Sequence, residues 1–519
     1  EGTKMVHQYK LNGYNIVLDM CSGSVHAVDE IAYDVIARYK EATEDEIVAE
    51  MLQKYGDRED VTEEELRSCV ADVRALEQSG KLFTPDDYEA MAGELKKRSG
   101  NVVKALCLHV AHTCNLNCDY CYYTEKGDMY RSCGAGNRMT ISDELLEKFT
   151  RQYIEAQTQP QVLFTWHGGE PLMRPISFYE KALRLQRQYA HGHIIDNCLQ
   201  TNGTLLTDEW CEFFRRNNFL IGISIDGPKE FHDEYRRTRT GGPSFDKVMR
   251  GIRLLNKHGV EWNAMAVVND FNADYPLEFY RFFKDIGARY IQFAPIIERL
   301  LPHSDGRHLA SPADRCAEGQ TAPFSVTAEQ YGSFVCSVFD EWVRNDVGTI
   351  FVQLFDSTLA LWAGQQPGVC AMAESCGHAA VMEFNGDVYP CDHFVFPEYR
   401  LGNIHTETLT SMMYGRRQQE FGEAKRAGLP GQCRECGWLK VCNGGCPKDR
   451  FLTTADGEPG LNYMCSAYRR YFAHTAPYMD FMRNELLNRR PPANVMQWAR
   501  TRDTHGECPQ EAPPQSVND

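Results

Sequence analysis

The stretch "HTCNLNCDYCYYTE", residues 112–125, places three cysteines within eight positions. Cys114, Cys118 and Cys121 follow an apolar run at 104–110, which predicts a strand that ends just before them. Structural zinc sites use four ligands and cysteine pairs of the form C-x2-C. A [4Fe–4S] cluster is held by thiolates, and three of them leave one iron open. The spacing C-x3-C-x2-C therefore favours an iron–sulfur cluster with an open iron over structural zinc.

Length, composition and charge limit the function classes. The chain has 519 residues, more than one domain of ordinary size, and its 43% hydrophobic and 24% charged content is typical of globular protein. The net charge of −17 argues against a nucleic-acid partner, because phosphate binding needs a basic face. We find no apolar run long enough to span a bilayer and no signal-peptide core, so we expect no membrane partner.

The chain contains twenty cysteines without an export signal, which predicts a reducing, cytoplasmic location. Eleven of them are clumped, as clusters or metal sites require, because several soft ligands must converge on one centre. Besides the first three, these are Cys370, Cys376, Cys391, Cys433, Cys436, Cys442, Cys446 and Cys465. We interpret the remaining nine as small core or surface residues.

The first 98 residues predict a small module of their own. Strand-like runs flank Asn12-Gly13, a two-residue hairpin signal, and "SVHAVD" predicts a third strand. Helical periodicity follows at 29–40, 44–55 and 62–79. Three strands and three helices predict a winged-helix-like module over 1–98, whose last part, 86–99, is a charged linker helix.

Strands and helices alternate over 99–300, which predicts an α/β core with a parallel sheet. The predicted strands lie at 104–110, 161–166, 194–199, 219–225, 262–268 and 290–295, and the predicted helices at 141–157, 176–190, 207–217, 244–258 and 275–286. Six such strands form a partial (β/α)6 TIM-like barrel, with active-site groups at the C-terminal strand ends. A cysteine-rich domain with short strands follows over 301–490, with helices at 327–345, 351–363 and 466–489. The tail, 491–519, is expected to be disordered.

Several motifs resemble those of the radical S-adenosylmethionine (SAM) enzymes. The cysteine triad follows the first predicted strand, "HGGEP" (167–171) the second, and "SIDGP" (224–228) the fourth, with "EYRRT" (234–238) behind it. The resemblance implies that the amino and carboxylate groups of SAM bind the open iron of the triad's cluster. One-electron reduction then cleaves SAM to methionine and a 5′-deoxyadenosyl radical.

The same resemblance implies which other side chains hold SAM. The family segment that binds the amino group of SAM matches Gly168, Gly169 and Glu170. The family pair that binds the carboxylate of SAM matches Ser224 and Arg236, and the family positions that flank SAM match Tyr120 and Ile297. Each position also has an ordinary interpretation, with Ser224 as a strand end, Arg236 as a solvated charge and Ile297 as a core residue.

The later cysteines divide into two groups of four, an arrangement that resembles the SPASM domain of peptide-modifying radical SAM enzymes. One group is Cys370, Cys376, Cys391 and Cys446, and the other is Cys433, Cys436, Cys442 and Cys465. The resemblance implies two auxiliary [4Fe–4S] clusters without an open iron, three clusters in all. A zinc ribbon over 433–446 is the alternative, although it leaves Cys370, Cys376, Cys391 and Cys465 unexplained.

Residues from about 114 to 490 resemble the anaerobic sulfatase-maturating enzymes. The resemblance rests on "TWHGGEPLMRP", "QTNGTLLTDEWCEFFR", "SIDGPKEFHDEYRR", "MEFNGDVYPCDHFV", "CNGGCPKDRF" and similar stretches. It implies oxidation of a cysteine or serine in an unfolded substrate segment to Cα-formylglycine. The deoxyadenosyl radical takes a β-hydrogen, a base takes the thiol or hydroxyl proton, and an electron leaves through an auxiliary cluster. The implied base is Asp392 in "CDHF", whose alternative role is to cap a turn.

Residues from about 5 to 112 resemble a different family, the maturases that form thioether links in SCIFF peptides. "HQYKLNGYNIVLD" and "KALCLHVAHTCNL" carry this resemblance. It implies a peptide-recognition element of the PqqD-like type that binds a leader peptide as an added strand. The chain thus joins two families, as a natural fusion or a chimera, and a leader-dependent thioether maturase is the alternative function. A third interpretation, docking and electron transfer without catalysis, does not account for Gly169, Ser224 and Arg236. The expected partners are a peptide or unfolded protein substrate and a one-electron reductant such as flavodoxin or ferredoxin.

Overall fold

The structure, a computed structural model, describes residues 6–58, 60–85, 105–121, 123, 130, 139–157, 159–301, 309–314, 321–377 and 379–504. The chain divides into two compact units, residues 1–100 and residues 101–519. The predicted linker helix at 86–99 lies outside the described residues.

The first unit contains an antiparallel sheet of three strands in the order β1-β2-β3 and three helices. The strands are β1 Val6–Leu11, β2 Tyr14–Asp19 and β3 Val25–Val28, and the helices are α1 Glu30–Arg38, α2 Glu44–Tyr55 and α3 Glu63–Gln78. Asn12 and Gly13 have φ of 50° and 84°, as the tight hairpin between β1 and β2 requires. Capping boxes begin α2 at Thr43 and α3 at Thr62. All six predicted elements are therefore present.

A ten-stranded sheet organises the second unit. Its order is β10-β9-β8-β7-β6-β5-β4-β11-β12-β13, parallel from β10 to β11 and antiparallel for the last two pairs. The strands are β4 Ala105–Ala111, β5 Gln161–Gly168, β6 Ile194–Thr201, β7 Leu220–Ser224, β8 Trp262–Val268, β9 Tyr290–Pro295, β10 Phe351–Val352, β11 Ala379–Met382, β12 Asp387–Tyr389 and β13 Gly402–Asn403. A separate pair, β14 Leu452–Thr453 and β15 Pro459–Leu461, forms a small antiparallel sheet.

Helices connect the parallel strands and continue through the C-terminal half. They are α4 Asp143–Glu155, α5 Ile176–Tyr189, α6 Asp208–Arg216, α7 Lys229–Tyr235, α8 Phe245–His258, α9 Pro276–Asp285, α10 Ala328–Asn345, α11 Gln353–Trp362, α12 Leu409–Met413, α13 Arg416–Ala427, α14 Gly431–Arg434, α15 Leu439–Cys442, α16 Cys465–Leu487 and α17 Val495–Thr504. Short 3-10 turns lie at Pro171–Met173, Cys370–Met372, Asp392–Phe394, Pro397–Tyr399, Pro447–Asp449 and Pro492–Asn494. None of the helices described is long and apolar enough to cross a bilayer.

The predicted alternation over 99–300 is confirmed, but the sheet is wider than expected. The six predicted strands and five predicted helices are all present, and β10 to β13 extend the sheet on both sides. The sequence predicted short strands in the cysteine-rich region but not that they join this sheet, and it placed β10 within a predicted helix at 351–363. Each of the four strands is only two to four residues long, too short to show a period. It also missed α7, a seven-residue helix behind "SIDGP".

The prediction of a disordered tail is wrong as far as residue 504. Pro491 and Pro492 lead into a short turn, and α17 follows it. Val495 and Ala499 are fully buried, and Trp498 stacks on Phe481 of α16 with ring centroids 4.9 Å apart. The tail as a whole has a polar composition, but α17 has an apolar face that packs against the protein. Composition alone therefore did not indicate that this segment is ordered. Residues 505–519 lie outside the described part of the chain.

Candidate functional site

The cysteine triad lies on the loop that follows β4. Cys114, Cys118 and Cys121 are all partly exposed and interact electrostatically with one another, so the structure brings the three thiols together. Burial raises the pKa of Cys114 to about 11 and that of Cys118 to about 12. Burial thus favours the neutral form of Cys114 and Cys118, and these thiols must lose their protons to ligate a metal centre.

Two neighbouring segments fix the shape of this loop. The amide of Asn117 donates to the carbonyl of Arg237 (2.8 Å), and the amide of Asp119 to that of Tyr235 (3.1 Å). Asn202, after β6, donates through Nδ2 to Oδ1 of Asn115 (2.9 Å) and contacts Sγ of Cys114 (3.8 Å). The loop is thus held against the C-terminal ends of other strands.

The glycine pair of "HGGEP" packs directly against the start of the cysteine loop. Gly168 has a φ of 128°, and a Cβ at Gly168 or Gly169 would lie 2.4 Å from the carbonyl oxygen of Ala111 or Thr113, respectively. The amide of Gly169 donates to Ala111 O (2.8 Å). No other residue type permits this approach, so the pair connects the ends of β4 and β5.

The carboxylate of Glu170 points into the protein. It accepts hydrogen bonds from Oγ1 of Thr201 (2.7 Å), the amide of Asn202 (2.8 Å) and the amide of Leu172 (2.9 Å). Complete burial raises its pKa to about 7. The side chain thus connects β5 to the end of β6, and a direct role in holding SAM stays a prediction.

Arg236 is buried and pairs with a residue that the sequence argument left unassigned. Its Nε and Nη2 donate to the two carboxylate oxygens of Asp226 (2.8 and 3.1 Å). The hydroxyl of Tyr120 also donates to Asp226, and the Arg236 guanidinium lies over the Tyr120 ring. Arg236 is therefore not a solvated charge, and Asp226 fixes its direction. The sequence feature that could have identified Asp226 as a site residue is its position in "SIDGP", directly after a strand.

Arg236 and Ser224 each keep a hydrogen-bond donor that has no partner among the described residues. Nη1 of Arg236 is one, and the hydroxyl proton of Ser224, whose oxygen accepts from Gln200 (2.9 Å), is the other. Both are suited to a carboxylate ligand. Ile297 follows β9 and is buried, and its carbonyl accepts from Nζ of Lys448 (2.6 Å).

The eight later cysteines form the two groups that the sequence predicted. In what we call set one, electrostatic interactions link Cys391 with Cys370 and Cys446, and Cys376 with Cys370 and Cys446. In set two they link Cys442 and Cys465 with each other and with Cys433 and Cys436. Cys446 thus lies with set one, although it follows Cys442 of set two by only four positions.

This grouping does not fit a zinc ribbon over 433–446. A zinc ribbon would need Cys446 as the fourth ligand beside Cys433, Cys436 and Cys442, whereas Cys446 interacts with Cys376 and Cys391 of set one. A cluster of four irons presents its metal atoms at separate corners and accepts more widely spaced thiolates. Set two also lines a cavity of about 300 Å³ together with Trp438, Arg469 and Phe472. The residues present fit [4Fe–4S] groups.

Asp392 directly follows set-one residue Cys391 in a short 3-10 turn. Its Oδ1 accepts from Sγ of Cys391 (3.2 Å) and from the amide of His393 (3.0 Å). Strand β12 runs antiparallel to β11, which is parallel to β4, so Asp392 leaves the sheet toward the edge where β4 begins. Asp392 thus lies outside the six barrel strands, and its role as a base stays a prediction.

A buried polar network, also missed from the sequence, lies under the cysteine loop. Glu383 follows β11 and contacts Nδ1 of His109 (2.8 Å) and Nδ1 of His112 (3.6 Å). Burial opposes its ionisation, but the two histidines hold the pKa of Glu383 well below its ordinary value. Both rings pack on Tyr123, two residues after Cys121. The sequence shows these residues only as scattered histidines and a glutamate. It does not indicate that Glu383 contacts His109, which lies 274 positions earlier in the chain.

Comparisons with known proteins agree with this geometry. The family model of the Radical SAM superfamily matches residues 108–283, and that of the SPASM iron–sulfur cluster-binding domain matches residues 370–437. A serine-type anaerobic sulfatase-maturating enzyme of Bacteroides thetaiotaomicron is 66% identical over 387 residues, 75% of this chain and 92% of the relative. The chain belongs to the anaerobic sulfatase-maturating enzymes.

More distant members of this family agree. A cysteine-type anaerobic sulfatase-maturating enzyme of Clostridium perfringens is 30% identical and covers 72% of this chain and 96% of its own length. The solved structure of native anSMEcpe with bound AdoMet and the Cp18Cys peptide superposes with a TM-score of 0.64 at 29% identity, over 73% of this chain and 99% of that one. This maturating enzyme is thus a radical SAM oxidoreductase, and its cofactors are SAM, a [4Fe–4S] cluster in the radical SAM domain and additional iron–sulfur clusters in the SPASM domain.

Proposed function

We propose that this maturating enzyme oxidises a serine or cysteine in a sulfatase segment to Cα-formylglycine. The observation that carries the proposal is the 66% identity to a serine-type enzyme of this activity, combined with Asp392 beside Cys391. Anaerobic turnover of a serine peptide and of its cysteine counterpart, followed by detection of the aldehyde, tests it.

The oxidation removes two protons and two electrons from the substrate, which together amount to two hydrogen atoms. SAM and its cluster supply the radical that takes one β-hydrogen together with one electron. The protein's own residues must then take one proton from the hydroxyl or thiol and accommodate one further electron. The product is an aldehyde from serine, or a thioaldehyde that water converts to the aldehyde, with loss of hydrogen sulfide, from cysteine.

We propose that Cys114, Cys118 and Cys121 hold the cluster that cleaves SAM, with SAM along the C-terminal edge of the sheet. In this arrangement the accessible donors on Ser224 and Arg236 bind the SAM carboxylate, and Asp226 keeps the guanidinium in place. Gly168 and Gly169 let the backbone approach the amino group, and Tyr120 and Ile297 flank the ligand. Glu170 completes the proposed segment for the amino group, and its carboxylate also holds the ends of β5 and β6 together.

Asp392 is the proposed general base for the substrate hydroxyl or thiol. Its carboxylate is partly exposed and leaves the sheet in a direction different from that of the SAM edge. A substrate residue held between SAM and Asp392 presents its β-hydrogen to SAM and its O–H or S–H group to Asp392. A base must lie within hydrogen-bond reach of the proton that it takes, and the cluster ligand Cys391 restrains Asp392 for this task.

The iron content of the protein tests the three ligand sets. Reconstituted enzyme is expected to contain about twelve irons, four for each of three clusters. Iron analysis with parallel zinc analysis measures this directly. A reproducible value of about four irons together with bound zinc would contradict the assignment of the two auxiliary sets.

The N-terminal unit supports a further part of the proposal, recognition of a leader-like peptide segment. Strands β1 and β3 are the two edges of its sheet, and Leu11, Tyr14 and Val25 are exposed apolar residues beside them. An extended peptide adds to such an edge through its backbone. The presence of this unit favours a second candidate function, that of a leader-dependent maturase that forms a thioether from a cysteine. For either function, the proposed electron donor is a one-electron reductant such as flavodoxin or ferredoxin.

Hydrogen exchange of the full-length protein locates this contact. A bound leader peptide is expected to slow exchange in one edge strand, Val6–Leu11 or Val25–Val28, because its backbone pairs with that strand. Exchange in α2, Glu44–Tyr55, serves as the internal control and stays unchanged. If no candidate leader changes exchange in either strand, the unit does not recognise peptides in this way, and the thioether alternative loses its support.

A further inference from the structure

Lys425 is a buried cation that faces set one. It lies on α13, its side chain is almost completely buried, and its Nζ donates to the carbonyls of Cys370 (3.0 Å), Ala371 (2.8 Å) and Ala373. It interacts electrostatically with Cys370, Cys376 and Cys446. The ammonium group is thus held by the backbone turn that carries the first ligand of set one.

Arg450 places a second cation between the two sets. Its guanidinium donates to the carbonyls of Gly444 (2.9 Å), Asn443 (2.8 Å) and Gly445 (3.3 Å), all between Cys442 and Cys446, and to the carbonyl of Lys425. It interacts electrostatically with members of both sets, namely Cys376, Cys446, Cys433 and Cys442. The two cations therefore lie side by side, and between them they interact with five of the eight thiols.

Neither cation has a carboxylate at ion-pair distance among the residues that the structure describes. Lys448, by contrast, pairs with Glu298 (2.9 Å) and Asp449 (3.7 Å). A buried charge costs several kcal/mol unless an opposite charge lies nearby, and carbonyl dipoles alone only partly offset that cost. The thiolates and the groups that they bind are thus the counter-charge for both cations.

We propose that Lys425 and Arg450 raise the reduction potentials of the auxiliary clusters, Lys425 for the cluster of set one and Arg450 for both. A [4Fe–4S] cluster with four thiolates is anionic and becomes more negative on reduction, so a fixed cation stabilises the reduced form more than the oxidised form. Set one adjoins Asp392, and a raised potential lets its cluster accept the electron that the substrate gives up. This inference rests on the proposed ligand sets, and both residues act as positioning and electrostatic groups that do not touch the substrate.

The test is a redox titration of the auxiliary clusters, monitored by electron paramagnetic resonance. It uses the full-length protein with Cys114, Cys118 and Cys121 replaced by alanine, so that only auxiliary clusters contribute. Lys425→Met is expected to shift the reduction equilibrium of one cluster toward the oxidised form by about tenfold, which is about 59 mV for one electron. Arg450→Gln is expected to lower the potentials of both clusters.

Arg426→Met is the matched control. Arg426 is the next residue of the same helix and carries the same charge, but its side chain is largely exposed and pairs with Glu374. Its replacement is expected to leave both potentials at the parent value, because solvent screens its charge. An unchanged potential in Lys425→Met with auxiliary iron intact overturns the inference.

A loss of iron from Lys425→Met is interpreted with two more variants. Lys425→Arg keeps the charge, and Lys425→Gln keeps a donor without the charge. If only Lys425→Arg retains iron, the inference is supported, because the positive charge alone distinguishes this variant from the other two. If all three variants lose iron, Lys425 has a steric role and the inference is overturned. If the parent protein lacks auxiliary iron, the ligand sets of the proposed function fail instead, which the same iron analysis shows.

Discussion

Replacement of Cys114, Cys118 and Cys121 together by alanine is expected to abolish SAM cleavage and to leave the auxiliary iron bound. The three thiols lie together on one loop, and no other described group of cysteines lies beside the proposed SAM donors on Ser224 and Arg236. Sets one and two use other ligands from a different part of the chain. Deoxyadenosine formation under reducing conditions measures the first effect, and iron analysis measures the second.

Cys198→Ala is the control for this prediction. Cys198 is a partly buried cysteine of β6 that donates to Oγ1 of Thr165 (3.3 Å) and belongs to none of the three groups. The control is expected to cleave SAM at the parent rate. Persistent deoxyadenosine formation in the triple variant would show that the SAM-cleaving centre lies elsewhere.

Asp392→Asn is expected to lower the rate of formylglycine formation by about two to four orders of magnitude, the usual contribution of general base catalysis. The amide keeps the shape of the side chain and removes its basicity. SAM cleavage is expected to continue, because the proposed radical-generating site lies on another loop. Deoxyadenosine then forms without a matching amount of aldehyde, and the ratio of the two products is the measurement.

His393→Asn is the neighbouring control, since His393 is exposed and shares the turn of Asp392. It is expected to keep the parent ratio of aldehyde to deoxyadenosine. An Asp392→Asn variant that makes aldehyde at the parent rate would reduce Asp392 to a turn cap. A loss confined to the His393 variant would move the base to that residue.

Local patterns were sufficient for much of the fold. Periodicity predicted the strands and helices of 105–295 except α7, and Asn12-Gly13 predicted the first hairpin with its left-handed residues. Spacing and family resemblance predicted both auxiliary cysteine sets, and the structure brings each set together. Their function as cluster ligands stays a prediction.

The features that the sequence did not reveal depend on contacts between distant segments. Strand β11 pairs with β4, more than 270 positions earlier, and brings Glu383 to His109. Lys425 lies in a polar helix, where a lysine is ordinarily solvated, and only the fold shows that it is buried against set one. The motif that contains Arg236 predicted that this residue binds SAM, but only the geometry showed that Asp226 is its partner.

The mass of a substrate peptide after anaerobic turnover tests the central claim most directly. A sulfatase-derived peptide is prepared with serine or with cysteine at the target position, and each product is treated with a hydrazine that traps aldehydes. Formylglycine formation predicts the same aldehyde from both peptides: the serine peptide loses two hydrogens, and the cysteine peptide loses two hydrogens and also exchanges its sulfur for oxygen. A cysteine product that retains its sulfur, loses only two hydrogens and does not react with hydrazine would contradict the proposed function and would establish a thioether-forming maturase.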